Sequence, residues 1–193
     1  MQRTRALAVS VVLLLGVFAT LPALGQFEDQ GQELVGEAAP DFVLKDANGQ
    51  EWTLSDLKGE KVVLLDFGST GCLPCLATVQ DLQALHETYR DKPVQIFTIC
   101  VSGLPLDQLK EWVEDMKLTY PVLGDLEFEA AQAYGLEVIP FTVIIDHEGI
   151  VRWVHTGHPD DYVDLVTKQF DEWLAKVPAE GSKPDQDPQE SPQ

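Results

Sequence analysis

Two cysteines three positions apart, Cys72 and Cys75, close the stretch Asp66-Phe67-Gly68-Ser69-Thr70-Gly71-Cys72-Leu73-Pro74-Cys75. Such a pair can form and break a disulfide or give two thiolates to a metal. Its setting narrows the choice. Upstream, Val62-Val63-Leu64-Leu65 is an apolar, β-branched run that predicts a buried strand. Downstream, Leu76, Val79, Leu82, Leu85 and Tyr89 recur at helical spacing. The cysteines therefore stand where a strand hands over to a helix. Unpaired backbone N–H groups and the macrodipole at a helix start favour an anion, so the Cys72 thiol is expected to be acidified. Cys75 falls one turn along on the same face, within reach of a disulfide. Pro74, in the first turn, removes an N–H that would have no helical partner anyway.

The alternatives for the pair are a structural disulfide or half of a zinc site. Zinc wants about four ligands, and no second Cys-x-x-Cys or His-x-x-x-His follows. Redox chemistry is the preferred reading. Asp66 interrupts an otherwise apolar strand six residues before Cys72. Burial there would raise its pKa and let it take the proton of Cys75; the alternative is a strand-end aspartate facing water. Cys100, in a second predicted strand, is expected to be a buried, inert thiol, the alternative being a third redox thiol at the same sheet edge. His147, His155 and His158 read as solvated turn or strand-end residues rather than a metal site, and Trp112, Trp153 and Trp173 as core.

These residues need a scaffold, and 193 residues suffice for one domain with a sizeable core. Arg3 and Arg5, an apolar run from Ala6 to Ala19 and the small-x-small Ala23-Leu24-Gly25 predict an export signal over 1–25, cleaved or kept as an anchor. Outside that leader 11 basic residues face 32 acidic ones, a net −21. Such a surface repels nucleic acid and anionic lipid, which excludes a nucleic-acid-binding role. Three cysteines in an exported chain leave one over, and the pair would sit in an oxidising compartment.

In chain order, 26–35 reads as a polar linker within a loose lead-in that extends to Ala38. Ala39 to Leu44 and Glu51 to Leu54 form a hairpin about Asn48-Gly49. A helical turn over Ser55–Gly59 precedes the strand Lys61 to Phe67 and the helix after Cys72, which ends before Asp91-Lys92-Pro93. Then come the strand Val94–Val101, the helix Pro105–Lys117, a short extended Tyr120–Leu123 and the helix Glu127–Tyr134. The strands Phe141–Asp146 and Ile150–Val154 and a helix from Pro159 to Lys176 complete the domain, placed at 36–177. The acidic, proline-rich 178–193 is expected to be a disordered tail. Alternating strands and helices predict an α/β sandwich about a mixed sheet with helices on both faces.

These residues resemble the thioredoxin superfamily, and within it the exported TlpA/ResA-like thiol–disulfide oxidoreductases related to the AhpC/TSA group. Four stretches carry the likeness: Ala39-Pro40-Asp41-Phe42 with its hairpin, Asp66 to Cys75, Val138-Ile139-Pro140-Phe141-Thr142, and Ile144-Ile145-Asp146-x-x-Gly149-x-Val151. The resemblance implies a thioredoxin-like three-layer sandwich with an N-terminal β-hairpin extension. It implies that Cys72 attacks, Cys75 resolves, and Pro140 is cis with the Ile139 backbone beside the sulfurs. Gly71, Leu73, Pro74 and Ile139 would meet the substrate. It further implies protein disulfides as clients, a membrane electron donor, a monomer, and no cofactor beyond the Cys72–Cys75 disulfide. Gly68 and Gly71 depart from the pattern, since tryptophans are expected at both positions. Leu73-Pro74 supplies no cation, so the couple is expected to be more reducing than in strong oxidants. A thiol peroxidase using Ser69-x-x-Cys72 with Arg152, or a metal or copper chaperone, are the rival readings.

Overall fold

The computed structural model describes residues 30–178, so the expected leader and all but the first residue of the expected tail lie outside the described residues. Seven strands form one mixed sheet: β1 Val43–Asp46, β2 Glu51–Thr53, β3 Val62–Gly68, β4 Val94–Cys100, β5 Val122–Gly124, β6 Phe141–Ile145 and β7 Val151–Thr156. Their spatial order is β2-β1-β5-β4-β3-β6-β7. The helices are α1 Leu73–Tyr89, α2 Leu106–Met116, α3 Glu129–Ala133 and α4 Tyr162–Leu174.

β3 is the hub. It pairs parallel with β4 from Val62↔Val94 to Gly68↔Cys100, and antiparallel with β6 from Val63↔Ile145 to Phe67↔Phe141. Every residue of β3 and β6 is buried, which explains why both read as unbroken apolar runs rather than alternating ones. On one face Leu64, Ile96 and Ile144 pack under α1, α2 and α4 through Leu82, Leu109, Val166 and Phe170. On the other, Leu65, Phe67, Phe97 and Val143 meet Phe42, Leu54 and Tyr134. This is the three-layer thioredoxin-like sandwich, with the β1–β2 hairpin added beside β5. The three expected core tryptophans are partly buried against the first of these clusters.

Element bounds shift where side chains cap. α1 begins at Leu73, directly after Cys72 as expected, because Cys72 serves as its N-cap. α3 is shorter than expected: Phe128 turns left-handed (φ 58°), and the buried Asp125 carboxylate takes the N–H groups of Ala130 and Ala131. α4 starts at Tyr162, after a turn closed by the bond from Tyr162 N–H to the Pro159 carbonyl.

The largest departure is the lead-in. Residues 30–35 are not loose. Gln30 is 8 % exposed, Leu34 packs on the second core cluster, and Gly36 donates to the Val151 carbonyl at 2.8 Å. Polar composition hid this docking, since a buried glutamine looks like a solvated one until its partners are known. Gly31 adopts φ 74°, and a Cβ on it would stand 2.5 Å from the ring of the fully buried Phe141. Gly31→Ala is therefore expected to cost about 1–3 kcal/mol, read as a lower urea midpoint at unchanged m-value. An unchanged midpoint would show that the lead-in does not dock in solution.

Candidate active site

β3 ends at Gly68, and α1 begins five residues later. Ser102, just past β4, holds the intervening loop: its Oγ accepts from Thr70 N–H at 2.9 Å and lies 3.2 Å from Thr70 Oγ1. Cys72 and Cys75 are joined in a disulfide with Cα atoms 5.2 Å apart. The Cys75 N–H donates to Cys72 Sγ at 3.3 Å, so the helix start already presents a donor to that sulfur. Cys72 is half-exposed and Cys75 buried, the asymmetry an attacking and a resolving cysteine require. Around them Gly71 is open, with nothing within 4 Å of a Cβ built there, and Leu73 is 80 % exposed. Pro74 is exposed in the first turn of α1.

Beneath the disulfide lies Asp66, with no exposed surface. Its register partners are Thr98 on β4 and Thr142 on β6, which direct their side chains to the same face. Both hydroxyls are taken, Thr98 by the Tyr120 hydroxyl and Thr142 by that of Tyr162, each at 3.0 Å. Neither carboxyl oxygen of Asp66 has a hydrogen-bond partner. Burial alone pushes the carboxyl from its ordinary 3.8 up to about 8.

Gly68 occupies the gap between this carboxyl and the cysteines. A Cβ there would stand 3.6 Å from Cys75 Sγ and 3.7 Å from Asp66 Oδ2. The bare glycine leaves the path between acid and sulfur open. A cavity of about 10 Å³, lined by Gly68, Cys75, Thr98, Cys100 and Trp112, adjoins it. Cys100 is buried and free, facing Gly68 in register, so it sits at the same sheet edge as the motif.

The Ile139–Pro140 peptide bond is cis, and Pro140 is buried. Because Phe141 pairs with Phe67, the register continues to set Pro140 opposite Gly68 and Ile139 toward the motif loop. Ile139 is partly exposed; among the described residues its N–H and C=O engage no backbone group.

A family model described as the AhpC/TSA family matches residues 35–154. The chain belongs to the AhpC/TSA family. The thiol-disulfide oxidoreductase ResA of Geobacillus thermodenitrificans is 34% identical over 163 residues, covering 81% of this chain and 91% of that one. A Chlorobium tepidum structure provisionally assigned as the thiol:disulfide interchange protein DsbE aligns with TM-score 0.67 at 25% identity, over 72% of this chain and 97% of that one. The exposed lipoprotein thioredoxin Etrx1 of Streptococcus pneumoniae aligns with TM-score 0.58 at 29% identity, over 69% and 99%. Within the family, this chain is of the TlpA/ResA-like, thioredoxin-superfamily kind.

The other candidates scatter. Arg152 is far from the cysteines, since its guanidinium pairs with Asp146 and Glu148 and lies 4.7 Å over the Trp173 ring. Asp146 follows Ile145, which faces Val63 near the start of β3, whereas Cys72 follows its end. Arg152 therefore cannot activate Cys72, and the peroxidase rival loses its cation. His158 bonds Asp81 at 2.7 Å, and His155 stacks on Trp153. Among the described residues no group of three or more His, Cys, Asp or Glu side chains could hold a metal. Sequence reading missed Ser102 and the tyrosine–threonine pairs flanking Asp66. Thr98 and Thr142 were the available signal, as polar residues at inward positions of buried strands.

The native carboxyl of Asp66 holds its proton between pH 3.8 and about 8, where the unfolded chain has released it. Stability is thus lost as pH rises through that window, by up to about 1.4 kcal/mol per unit. Asp66→Asn is expected to flatten this slope and to raise the melting temperature most at pH 8 and above. Equal slopes in both proteins would mean that the carboxyl is ionised or solvated.

Proposed function

We infer that this protein is a thiol–disulfide oxidoreductase that reduces protein disulfides from outside the cytoplasm. One observation carries it: a closed Cys72–Cys75 disulfide at a helix start, above a buried and unpaired carboxyl. The relatives' names agree, one being a thiol-disulfide oxidoreductase and another an exposed lipoprotein thioredoxin.

In the reducing direction the Cys72 thiolate attacks one sulfur of a client disulfide. A Cys72–client mixed disulfide forms and one client thiolate leaves. The carboxylate of Asp66 takes the proton of Cys75 across the gap at Gly68, a base whose pKa of about 8 lies near working pH. The Cys75 thiolate then attacks Cys72 Sγ, releasing the second client thiol and closing the Cys72–Cys75 disulfide. Ile139 pairs through its backbone with the client chain, while Gly71, Leu73 and Pro74 form the surface on which the client rests. A dithiol donor reopens the disulfide; the leader-like 1–25 favours a donor in the membrane. The acidic surface favours a monomer, and no cofactor beyond the sulfur pair is required.

Cys72→Ser is expected to abolish insulin reduction with dithiothreitol as donor while leaving the circular dichroism spectrum unchanged; full turnover would refute the mechanism. Cys75→Ser should accumulate the mixed disulfide, visible as a client adduct on non-reducing gels. Wild-type turnover should rise toward pH 8 as Asp66 ionises, and Asp66→Asn should lose that limb by roughly ten- to a hundredfold. The reduction potential should lie nearer about −270 mV than about −120 mV, because no cation stabilises the thiolate beyond the helix start. A value near the upper figure would make the protein an oxidant.

A further inference from the structure

The segment before the domain grips the loop that carries the cis-proline. Gln30 is 8 % exposed, and its side-chain amide makes three bonds to that loop. Its Oε1 accepts from Glu137 N–H at 2.7 Å and from Val138 N–H at 2.6 Å, and its Nε2 donates to the Val138 carbonyl at 3.0 Å. The amide thus pairs as the peptide group of a neighbouring strand would, on the two residues immediately before Ile139. Flanking contacts extend the grip. Glu33 Oε1 approaches within 3.6 Å of a Cβ built on Gly135, and Gly31 lies against the Phe141 ring. Residues on both sides of the Ile139–Pro140 bond are therefore held by residues 30–33.

A β-edge offers affinity through its main-chain groups only if they are held in place beforehand. Here the loop has no strand partner for Glu137 and Val138, so the glutamine supplies one. The two N–H groups would otherwise lose their acceptor, and the loop could turn them toward solvent or toward the client. With them occupied, Ile139 presents beside the motif an N–H and a C=O that engage no backbone group among the described residues.

We propose that Gln30 is a positioning residue for client recognition: its amide substitutes for a strand, fixing Glu137 and Val138 so that Ile139 is presented to an extended client chain. The proposal rests on the role given to Ile139 above. Gln30 touches no client itself, and its side-chain bonds go to Glu137 and Val138 rather than to Asp66, Gly68 or Cys75. It therefore acts on binding of polypeptide disulfides, not on the exchange chemistry.

The test compares two disulfides in the full chain: insulin, which offers a polypeptide, under turnover with dithiothreitol as donor, and the small aromatic disulfide DTNB, which offers none, in a single turnover with pre-reduced protein freed of donor. Gln30→Ala is expected to raise KM for insulin roughly five- to tenfold, with kcat within twofold, DTNB reduction unchanged and the reduction potential unmoved. Gln30→Glu keeps the acceptor but not the donor and should restore part of the insulin KM. The melting temperature reports folding separately. An unchanged insulin KM in a folded Gln30→Ala protein overturns the proposal, as does a loss of insulin and DTNB activity in equal proportion. A wild-type protein that reduces DTNB but shows no saturation with insulin overturns the role of Ile139 first, and the proposal with it.

Discussion

A carboxyl group sealed in the middle of a sheet with no hydrogen-bond partner is the constraint that the site is built around. Left ionised it would be among the most unfavourable groups in the fold, so it holds its proton to about pH 8. Its neighbours keep it that way. Thr98 and Thr142 face it in register, yet each hydroxyl is committed to a tyrosine. A carboxyl stabilised by those hydroxyls would ionise readily and make a poor base for a thiol. In the proposed mechanism local stability is given up for a proton acceptor matched to its task.

The rest of the architecture follows from holding that acid below the sulfurs. β3 carries Asp66 and leads the chain toward Cys72, so one strand positions both the acid and the motif. Pairing with β4 brings Ser102 to the loop and Cys100 to the edge; pairing with β6 brings the cis-proline level with Gly68. Helix α1 then does two jobs with one terminus. It offers the Cys75 amide to Cys72 Sγ and buries Cys75, Val79 and Leu82.

Much of this was legible in the sequence because it is written in local signals. Unbroken apolar runs marked β3 and β6, spacing of three and four marked α1, and Cys-x-x-Cys fixed the chemistry. Asp66 was conspicuous as the one charge in an apolar strand. What escaped depends on distant partners. Gln30 is polar in a polar stretch, and nothing nearby in sequence foretells bonds to residues 137 and 138. Phe128 in a left-handed conformation shortened α3 against the periodicity, because Asp125 caps that helix from outside it. Arg152 had the right charge for a peroxidase, and only the sheet register shows it at the wrong end.

The two glycines where the family pattern expects tryptophan have different consequences. At Gly68 no side chain stands between Cys75 and Asp66, so the proposed proton path crosses a gap rather than skirting a wall. At Gly71 nothing lies within 4 Å of a Cβ built there, and Leu73, on the other side of Cys72, is 80 % exposed. In the proposed function a client then has only the small surface of Gly71, Leu73 and Pro74 to rest on near Cys72. In the proposed function affinity then comes from main-chain pairing at Ile139, and main-chain pairing is only as good as the rigidity of the strand that offers it. A short loop ahead of a proline has no such rigidity of its own. That is why a glutamine outside the family-matched 35–154 makes physical sense at this loop: removing apolar surface shifts the demand onto backbone order, and Gln30 supplies it.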